Sequence, residues 1–384
     1  MPKKIAVIGA GTAGVLAATH FNKWMKDCEL ELYYDSNISP QPVGEGSTPT
    51  LPNALWQNLE FTFDDLDKID GIIKYGIDKR NWGGTDFIHP FFPPVVGYHF
   101  NAGKLQQFVL DKLKDKIKII DKNVTHENVD ADFVVDCSGK PSNYDDFTMS
   151  DYISVNAVYV TQCYWEYPKF NNTLAIARPY GWIFGIPLKN RCSIGYMYNH
   201  TINTLEEVKE DVKHVFAELN LTPSNTTNAF TFKNYFRKQN FTERVVFNGN
   251  SSFFLEPMEA TSIMVMDFIN RGAHDIWTKQ TPVENYNQAY LELLNEIEGM
   301  IMLHYYAGSK FDTPFWDFAK KRGENSSKKL MQNPKFRFIY EMSKGENPGE
   351  GLNPAQLNYA ALIPLSYKIN LSGLNLYDKL DKII

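Results

Sequence analysis

The chain has 384 residues and a net charge of −6, and Phe, Tyr and Trp make up 14% of it. This length can bury a large core and hold two or three structural units, whereas the scattered basic residues argue against nucleic-acid binding and no apolar run approaches the roughly 20 residues of a membrane span. The four cysteines, Cys28, Cys137, Cys163 and Cys192, have neither CxxC nor zinc spacing, so we expect a reduced, cytoplasmic protein without a metal site.

The first 35 residues have the pattern of a dinucleotide-binding unit. An apolar run at residues 4–8 predicts a strand rather than a signal peptide, and the glycine-rich stretch GAGTAG at 9–14 opens an apolar helix at 15–21. Residues 29–34 alternate as a second strand that ends at Asp35. The glycines let the backbone approach a pyrophosphate, the helix N-terminus stabilises its charge, and the acidic residue holds the ribose hydroxyls. We therefore predict nucleotide binding at this turn.

The middle of the chain predicts mostly strands. Residues 131–139 form another strand with a small-residue turn, as expected of a strand that returns to the nucleotide site. A capping box at 204–207 predicts a helix, and after residue 285 the chain becomes helical and more polar. An antiparallel sheet over about 153–200 is predicted from three alternating segments, at 153–165, 173–178 and 191–198, of which the last two are joined by residues 182–188.

These elements predict an α/β (α+β) fold, in which a Rossmann-like unit is interleaved with an antiparallel sheet and followed by a helical C-terminal cap. Because the nucleotide-binding unit is split along the sequence, we expect one discontinuous core over residues 1–280. A helical substrate-cap region is then expected over residues 281–384.

One loop combines a carboxylate with a helix start. The stretch FLEPMEATS at 254–262 follows an apolar strand at 245–247 and precedes an apolar helix. Glu259 therefore falls on a strand-to-helix loop, and Thr261 and Ser262 fall where a helix exposes N–H groups that bind small anions. The alternative is an acidic loop that only caps the helix.

Several segments, in order, resemble the flavin-dependent halogenases of the tryptophan-halogenase type. The resemblance extends over about residues 5–316, and the short length and Asn- and Lys-rich composition would suit a viral member. The resembling segments are GAGTAG (9–14), VGEGSTPTL (43–51), IIKYGIDKRNWGG (72–84), HPFF (89–92), GWIFGIP (181–187), FNGNSSFFLEPMEATS (247–262) and LHYYAGSKFDTPFW (303–316).

The resemblance implies an enzyme that uses FADH2, oxygen and a halide to make a hypohalous acid. It places the catalytic lysine on Lys74 and the catalytic glutamate on Glu259, with the halide near Thr261 and Ser262. The oxidant would pass through an internal tunnel to Lys74 and halogenate an electron-rich aromatic of the indole, phenol or pyrrole type. Without the resemblance, Lys74 would be an ordinary strand residue with a packed stem.

The resemblance also assigns cofactor and substrate contacts. The expected substrate contacts are His89, Phe91, Phe315 and Trp316. Packing in the core is the alternative role for these residues. The expected FAD contacts are Gly9, Gly11, Thr12, Ala13, Gly14, Asp35, Gly44, Ser47, Thr48, Gly139, Gly249 and Asn250.

The chain departs from the family pattern at four points. Phe184 stands where the family's W-x-W-x-I-P motif has its second tryptophan, and Asn250 stands where the second flavin segment has an aspartate; both bear on flavin affinity. Ser262 replaces a glycine and has less freedom to reach positive φ, which bears on the shape of the halide pocket. The chain is also short, with little left to build a closed substrate lid.

The sequence also suggests partners and a halide. The sequence shows no second dinucleotide fingerprint, since GENPGEG at 345–351 lacks a preceding strand and the right spacing. A separate flavin reductase is therefore expected to supply FADH2. The short C-terminal region suggests a less enclosed site, which would favour the more easily oxidised bromide and iodide over chloride. Two questions stay open: whether the substrate is free or tethered to a carrier protein, and whether the protein forms a homo-oligomer.

Two other functions are compatible with parts of the sequence. A flavin-dependent aromatic monooxygenase (hydroxylase) shares the nucleotide fold and the small-residue turn at 136–139, but it has no use for Lys74 together with Glu259. A non-catalytic flavin-binding relative is favoured by Asn250 and Phe184. Halide-dependent product formation distinguishes the halogenase, the monooxygenase and the non-catalytic relative.

Overall fold

The computed structural model describes residues 3–38, 44–91, 95–279, 281–344 and 359–383. Three parts of the predicted motifs, Val43, Phe92 and the stretch at 345–351, lie outside the described residues.

The strands, in chain order, are β1 (Lys3–Ile8), β2 (Cys28–Tyr34), β3 (Gly44–Gly46), β4 (Ile72–Lys74), β5 (Gly76–Trp82), β6 (Thr85–Pro90), β7 (Gly97–Asn101), β8 (Lys118–Asp121), β9 (Phe133–Asp136), β10 (Phe147–Met149), β11 (Ala157–Tyr164), β12 (Thr173–Arg178), β13 (Gly181–Pro187), β14 (Arg191–Tyr198), β15 (Thr222–Thr231), β16 (Tyr235–Arg237), β17 (Val245–Phe247) and β18 (Phe253–Phe254). The helices are α1 (Thr12–Trp24), α2 (Thr50–Leu59), α3 (Ala102–Leu113), α4 (Leu205–Glu218), α5 (Ser262–Lys279), α6 (Val283–Ala307), α7 (Pro314–Met331), α8 (Pro334–Ser343), α9 (Tyr359–Gly373) and α10 (Tyr377–Leu380).

The chain divides into two compact units, each assembled from three separate segments. Unit 1 consists of Met1–Ile73, Gly97–Met149 and Tyr235–Leu293. Unit 2 consists of Lys74–Val96, Ser150–Asn234 and Leu294–Ile384. The cap region that the sequence predicts from residue 281 stays a prediction.

Unit 1 contains a five-stranded parallel sheet in the order β17-β9-β1-β2-β8. Central β1 pairs with β2 on one side and with β9 on the other, and Ile5, Ala6 and Val7 of β1 are fully buried. Such near-continuous apolar runs are typical of parallel strands that are covered on both faces. The β1-α1-β2 connection therefore confirms the predicted Rossmann-like unit. Two three-stranded sheets, β3-β7-β4 and β10-β16-β18, accompany it.

Unit 2 contains a seven-stranded sheet in the order β15-β11-β14-β13-β12-β5-β6. All neighbouring pairs are antiparallel except β12 with β5. The predicted strands at 173–178 and 191–198 coincide with β12 and β14, whereas β11 begins at Ala157 rather than at 153. The sheet also includes β5, β6 and β15, which the predicted range of 153–200 does not cover.

Helix α4 packs on this sheet as its sequence predicts. The Thr204 hydroxyl accepts the Glu207 N–H, and the Glu207 carboxylate accepts the Thr204 N–H at 2.7 Å. Val208, Val212 and Val215 lie in the same buried cluster as the strand residues of the sheet. The predicted capping box and apolar face are thus confirmed.

From Val283 onward the described residues are mostly helical, as the composition predicts. Throughout the described ranges, no helix is both long and apolar enough to cross a membrane.

Candidate active site

In unit 1, most of the predicted nucleotide contacts lie at one edge of the parallel sheet. β1 ends at Ile8, Gly9 adopts a φ of 94°, and α1 begins after Gly11. Asp35 follows the last residue of β2, and its carboxylate accepts the N–H and the side-chain amide of Asn37, each at 2.9 Å. Because α/β sheets bind ligands at the carboxyl ends of their strands, this edge is the candidate nucleotide site.

The glycines at this edge have two different structural roles. A Cβ on Gly9 would lie 2.4 Å from the Cys137 carbonyl oxygen, and one on Gly14 would lie 1.8 Å from the Gly9 carbonyl oxygen. Both glycines therefore permit close backbone packing. A Cβ on Gly11 or Gly139 would meet no heavy atom of the described residues within 4 Å, chain neighbours aside. The open space beside α1 fits a pyrophosphate held by a helix N-terminus.

Glu45 is a candidate site residue that the sequence-based assignment of cofactor contacts did not include. It lies on β3 within the VGEGSTPTL stretch, and the Thr12 hydroxyl, at the start of α1, donates a 2.7 Å hydrogen bond to its carboxylate. Burial raises the pKa of Glu45, and the bond from Thr12 only partly offsets this effect. The glutamate in the resembling segment was the available signal, but its contact with the first turn is visible only in the fold.

Two other predicted cofactor residues hold the local backbone. The Ser47 hydroxyl accepts the Tyr98 N–H at 2.9 Å, and the Ser47 N–H donates to the Tyr98 carbonyl. The Thr48 hydroxyl donates to the Thr50 hydroxyl at 3.2 Å. These bonds attach the segment after β3 to β7 and to the start of α2. Gly44 begins β3 opposite Asn101.

Asp136 connects the turn after β9 with the turn after β17. Its carboxylate accepts the Ser138 N–H at 2.9 Å and contacts His126 Nδ1 at 2.7 Å, and its carbonyl accepts the Asn248 N–H at 2.8 Å. The second of these turns also approaches α1, since a Cβ on Gly249 would lie 2.7 Å from the Ala13 Cβ. The two turns that contain Gly139 and Gly249 are therefore held at the same sheet edge.

We expect the ion pair of His126 and Asp136 to stabilise the protein most in mildly acidic solution. The hydrogen bond to Asp136 raises the pKa of His126, so its contribution is complete below the ordinary value of about 6.5 and is lost as the pH rises through the raised value. Burial opposes ionisation of Asp136, but the bonds from His126 and Ser138 outweigh it and lower the pKa of the carboxyl. Its contribution is present above about pH 3.9 and is lost as the pH falls through the lowered value.

Thermal unfolding across pH checks this expectation. The difference in melting temperature between the wild type and His126→Gln should be largest at about pH 5–6 and should shrink at higher pH. A His126→Gln difference that is constant across pH would contradict the expectation.

The loop with Glu259 joins β18 to α5 in unit 1. Glu259 is buried, with 3% of its surface exposed. The Ala260 N–H donates to the Pro257 carbonyl, and Ala260 adopts the left-handed region at a φ of 53°. The Thr261 carbonyl then accepts the Val265 N–H, and α5 begins at Ser262. Thr261 and Ser262 thus lie at the N-terminus of an 18-residue helix, where anions are stabilised.

Lys74 is the first residue of unit 2 and has no exposed surface. Its Nζ lies 5.3 Å from the centre of the Phe91 ring, which is within cation–π range. The ring centres of Phe91 and His89 are 6.3 Å apart, and the Phe91 N–H donates to the Tyr75 carbonyl. β5 pairs with β6, and the bond between Phe91 and Tyr75 extends this pairing by one step. The pairing brings Lys74, His89 and Phe91 together.

Phe315 and Trp316 have no exposed surface and lie at the start of α7 in unit 2. The Trp316 indole N–H donates to the Arg178 carbonyl at 2.8 Å, and its ring packs edge-on against Trp82 with 5.5 Å between ring centres. The contacts seen for Trp316 are those of a packed core, which is the alternative that the sequence left open. Any contact with a substrate stays a prediction.

The comparison with known proteins matches most of the chain to one family. The tryptophan halogenase family profile matches residues 4–117 and 95–337. The chain belongs to the tryptophan halogenase family. The family predicted from the sequence, whose members are flavin-dependent halogenases, is thereby confirmed.

Individual relatives of this tryptophan halogenase family member are distant in sequence. Tryptophan 7-halogenase RebH of Lentzea aerocolonigenes is 24% identical over 425 residues, which cover 82% of this chain and 78% of RebH. Tryptophan 6-halogenase ThaL of Streptomyces albogriseolus is 22% identical over the same shares of the two chains.

Solved structures of halogenases have the same fold. The flavin-dependent halogenase Xcc4156 of Xanthomonas campestris matches with a TM-score of 0.78 at 17% identity, covering 100% of this chain and 93% of the other. BrvH of Brevundimonas sp. BAL3 matches with a TM-score of 0.77 at 20% identity and the same coverage. The α/β fold class predicted from the sequence is therefore confirmed.

The residues that depart from the tryptophan halogenase pattern have clear structural positions. Phe184 lies opposite Gly195 in the β13–β14 pair, and a Cβ on Gly195 would lie 2.0 Å from the Phe184 ring, so the ring occupies the space above that glycine. Asn250 is exposed, and its carbonyl accepts the Tyr235 hydroxyl at 2.7 Å. In the Glu259 loop the left-handed conformation falls on Ala260, whereas Ser262 begins α5 and does not adopt a positive φ.

Proposed function

We propose that this chain is an FADH2-dependent halogenase that makes a hypohalous acid from a halide and oxygen, and that Lys74 delivers it to an electron-rich aromatic. The observation that carries the proposal is the complete burial of Lys74 beside Phe91, on the segment that resembles the one carrying the family's catalytic lysine. The buried Glu259, on the loop that opens α5, supports it.

FAD would be held at the carboxyl edge of the parallel sheet in unit 1. The N-terminus of α1 and the open space at Gly11 and Gly139 would accommodate the pyrophosphate, and Asp35 would bind the ribose hydroxyls. When bound, the reduced cofactor would supply the two electrons that reduce one oxygen atom of O2 to water, while the other oxygen atom oxidises the halide to the hypohalous acid. The other proposed FAD contacts are Gly9, Thr12, Ala13, Gly14, Gly44, Ser47, Thr48, Gly249 and Asn250, to which the structure adds Glu45.

We expect Gly11→Ala to weaken FAD binding without unfolding the protein. Gly11 has a φ of −65° and a ψ of −178°, which alanine tolerates, and its Cβ would enter the space proposed for the pyrophosphate. An unfavourable effect of about 1.4 kcal/mol would weaken binding tenfold. Flavin titration and thermal unfolding measure the two effects. Undiminished affinity would show that the cofactor does not occupy this space.

The halide would bind at the N-terminus of α5. The first N–H groups of a helix have no carbonyl partner within that helix, and the helix dipole favours an anion there. Thr261 and Ser262 supply such groups, and both side chains are partly exposed. The neighbouring Glu259 carboxylate would take part in the chemistry rather than in binding the halide, since two anions repel each other.

Lys74 would hold the hypohalous acid by a hydrogen bond or carry its halogen. In the second case the amine nitrogen bonds to the halogen, and the O–X bond breaks. The hydroxyl group takes up one amine proton and leaves as water. Lysine suits both roles because its nitrogen is a hydrogen-bond donor when charged and a nucleophile when neutral. The ring then attacks the halogen, and Glu259 would accept the proton that the ring loses, a function worth about 10²–10⁴-fold in rate.

The substrate would be an indole, phenol or pyrrole that contacts His89 and Phe91, with Phe315 and Trp316 supporting its pocket. A ring that reacts with an electrophilic halogen must be electron-rich, and aromatic side chains bind such rings by edge and face contacts. The described residues contain one parallel sheet with a glycine-rich first turn, so we propose that a separate reductase supplies FADH2. Bromide or iodide would be preferred over chloride because each is oxidised more easily.

A product screen by mass spectrometry tests this function. The purified protein is incubated with FAD, a flavin reductase, NADH, oxygen, catalase and a panel of free indoles, phenols and pyrroles. Chloride, bromide and iodide are supplied separately and then in competition. We expect a halogenated product, with bromide or iodide used before chloride. A hydroxylated product without halide dependence would indicate the monooxygenase, and flavin binding without any product would indicate a non-catalytic relative.

A further inference from the structure

Two of the four cysteines lie directly opposite each other in unit 2. Cys163 on β11 pairs with Cys192 on β14 in the antiparallel ladder. Both are fully buried in the cluster between the sheet and α4. We refer to Cys163 and Cys192 as the thiol pair. All four cysteines of the chain are in the thiol form in this structure.

The register of the thiol pair is compatible with a covalent bond between the two sulfur atoms. Opposed residues of antiparallel strands have Cα atoms about 4.5–5.5 Å apart. Disulfides are formed between Cα atoms about 4.4–6.8 Å apart. The paired register therefore places the two Cα atoms within the range that a disulfide can span.

The two sulfur atoms are also chemically different. A hydrogen bond from the Cys192 thiol lowers the pKa of Cys163, and nearby Lys169 acts in the same direction. The hydrogen bond and burial raise the pKa of Cys192. Burial also raises the pKa of Cys28 and of Cys137. Because the thiolate is the reactive form of cysteine, this asymmetry favours Cys163 over Cys192 as the attacking sulfur.

We propose that the thiol pair is an oxidant-reactive site that is converted to a reversible Cys163–Cys192 disulfide by small oxidants of the peroxide or hypohalous acid class. The site would act as a two-electron reductant within the sheet of unit 2. It requires no change in the strand pairing, since the two residues already face each other.

The reaction balances with hydrogen peroxide as the oxidant. The Cys163 thiolate attacks one peroxide oxygen, the O–O bond breaks, and the other oxygen leaves as water after taking up a proton. The resulting sulfenic acid is attacked by the Cys192 sulfur, the S–O bond breaks and a second water leaves. Two thiols are oxidised and one peroxide is reduced to two waters. With a hypohalous acid, one water and one hydrogen halide are formed instead.

The strand ladder provides a route to the buried thiol pair. The β11–β15 pairing shifts register between Thr161 and Cys163, which interrupts regular hydrogen bonding beside the pair. The neighbouring Tyr164 side chain is exposed, and β14 begins only one residue before Cys192. The pair thus lies near one end of its two strands, where local opening requires few broken hydrogen bonds.

The test uses added hydrogen peroxide and no flavin, so its outcome is independent of the proposed halogenation. The reduced, full-length protein is treated with a few equivalents of peroxide, quenched with catalase, unfolded and alkylated. We expect a mass loss of about two units before alkylation and two alkylated cysteines instead of four, with peptide mapping that links Cys163 to Cys192. Dithiothreitol should restore all four thiols.

Variants and competing outcomes make the test decisive. Cys28→Ser should still form the disulfide, whereas Cys163→Ala should not. If Cys163→Ala does not fold, the peptide map of the oxidised wild-type protein alone shows whether Cys163 and Cys192 are linked. Oxidation of Cys28 before the thiol pair, linkage between any other two cysteines, or conversion of Cys163 to a sulfinic acid without linkage to Cys192 would overturn the proposal.

Discussion

Replacing Lys74 with alanine should abolish halogenated product while the oxidation of reduced flavin by oxygen continues at the wild-type rate. In the proposed mechanism the oxidant forms at the flavin and halide, and Lys74 acts only after that step. Removing its amine should therefore prevent transfer of the oxidant but not its formation. We expect product formation to fall by more than about a hundredfold, as for loss of a positioned proton-transfer group or nucleophile. Product analysis and oxygen consumption, measured on the same samples, check both parts.

Lys79 provides a matched control for Lys74. It is a lysine in the same unit, also without exposed surface, and its Nζ contacts His304 Nε2 and Asn370 Oδ1, each at 2.7 Å. Lys79→Met should lower thermal stability without abolishing the reaction of the folded fraction. Lys74→Arg keeps a charged donor but removes the nucleophile, so activity in that variant would favour hydrogen bonding over a haloamine. Product formation near the wild-type rate in Lys74→Ala would refute the role of Lys74.

Replacing Glu259 with glutamine should lower turnover by about 10²–10⁴-fold and change flavin affinity much less. The amide has nearly the same volume and can still form hydrogen bonds, but it cannot accept the proton that a halogenated ring must lose. Glu259 is buried on the loop that positions the start of α5, so a conservative change is needed to keep the loop folded. Steady-state turnover and flavin titration measure the two quantities.

Glu256 is the matched control for Glu259. It lies on the same loop with 2% of its surface exposed, and we propose no chemical role for it. Glu256→Gln should therefore retain turnover to within a few-fold of the wild type, apart from any loss of folded protein. Unchanged turnover in Glu259→Gln, or equal losses in both variants, would remove Glu259 from the proposed catalytic residues.

Local signals in the sequence predict the parts of the fold that depend on neighbouring residues. The strand, glycine turn and helix at the start of the chain are predicted because strand burial, close packing at Gly9 and Gly14 and the helix start all involve adjacent segments. The Thr204 capping box is local in the same way. In contrast, the pairing of β5 with β12 joins segments almost a hundred residues apart, and no periodic pattern indicates it.

The sheet range predicted from the sequence, about 153–200, also omits the strand β15. β15 has the sequence TPSNTTNAFT and is mostly exposed, so it lacks the apolar alternation by which half-buried strands are recognised. Its pairing with β11 holds it at the edge of the sheet instead. Edge strands with polar side chains are common because they discourage pairing with other chains.

The candidate site was predictable as a set of residues but not as a set of contacts. Motif resemblance indicates Lys74 and Glu259, yet the contact of Lys74 with Phe91 depends on chain pairing around β5 and β6. The bond between Thr12 and Glu45 joins two separate motifs. The left-handed conformation at Ala260 is likewise a property of the folded loop, since the sequence pattern drew attention to Ser262 instead.

The most direct test of the proposed chemistry is one reaction with bromide under ¹⁸O₂, in which a substrate from the screen is analysed by high-resolution mass spectrometry. We predict a product with the paired isotope pattern of bromine and no ¹⁸O, because the oxygen of the hypohalous acid leaves as water. The same reaction without bromide should give no product. A product that contains ¹⁸O and no bromine would contradict the account and identify the protein as a hydroxylase.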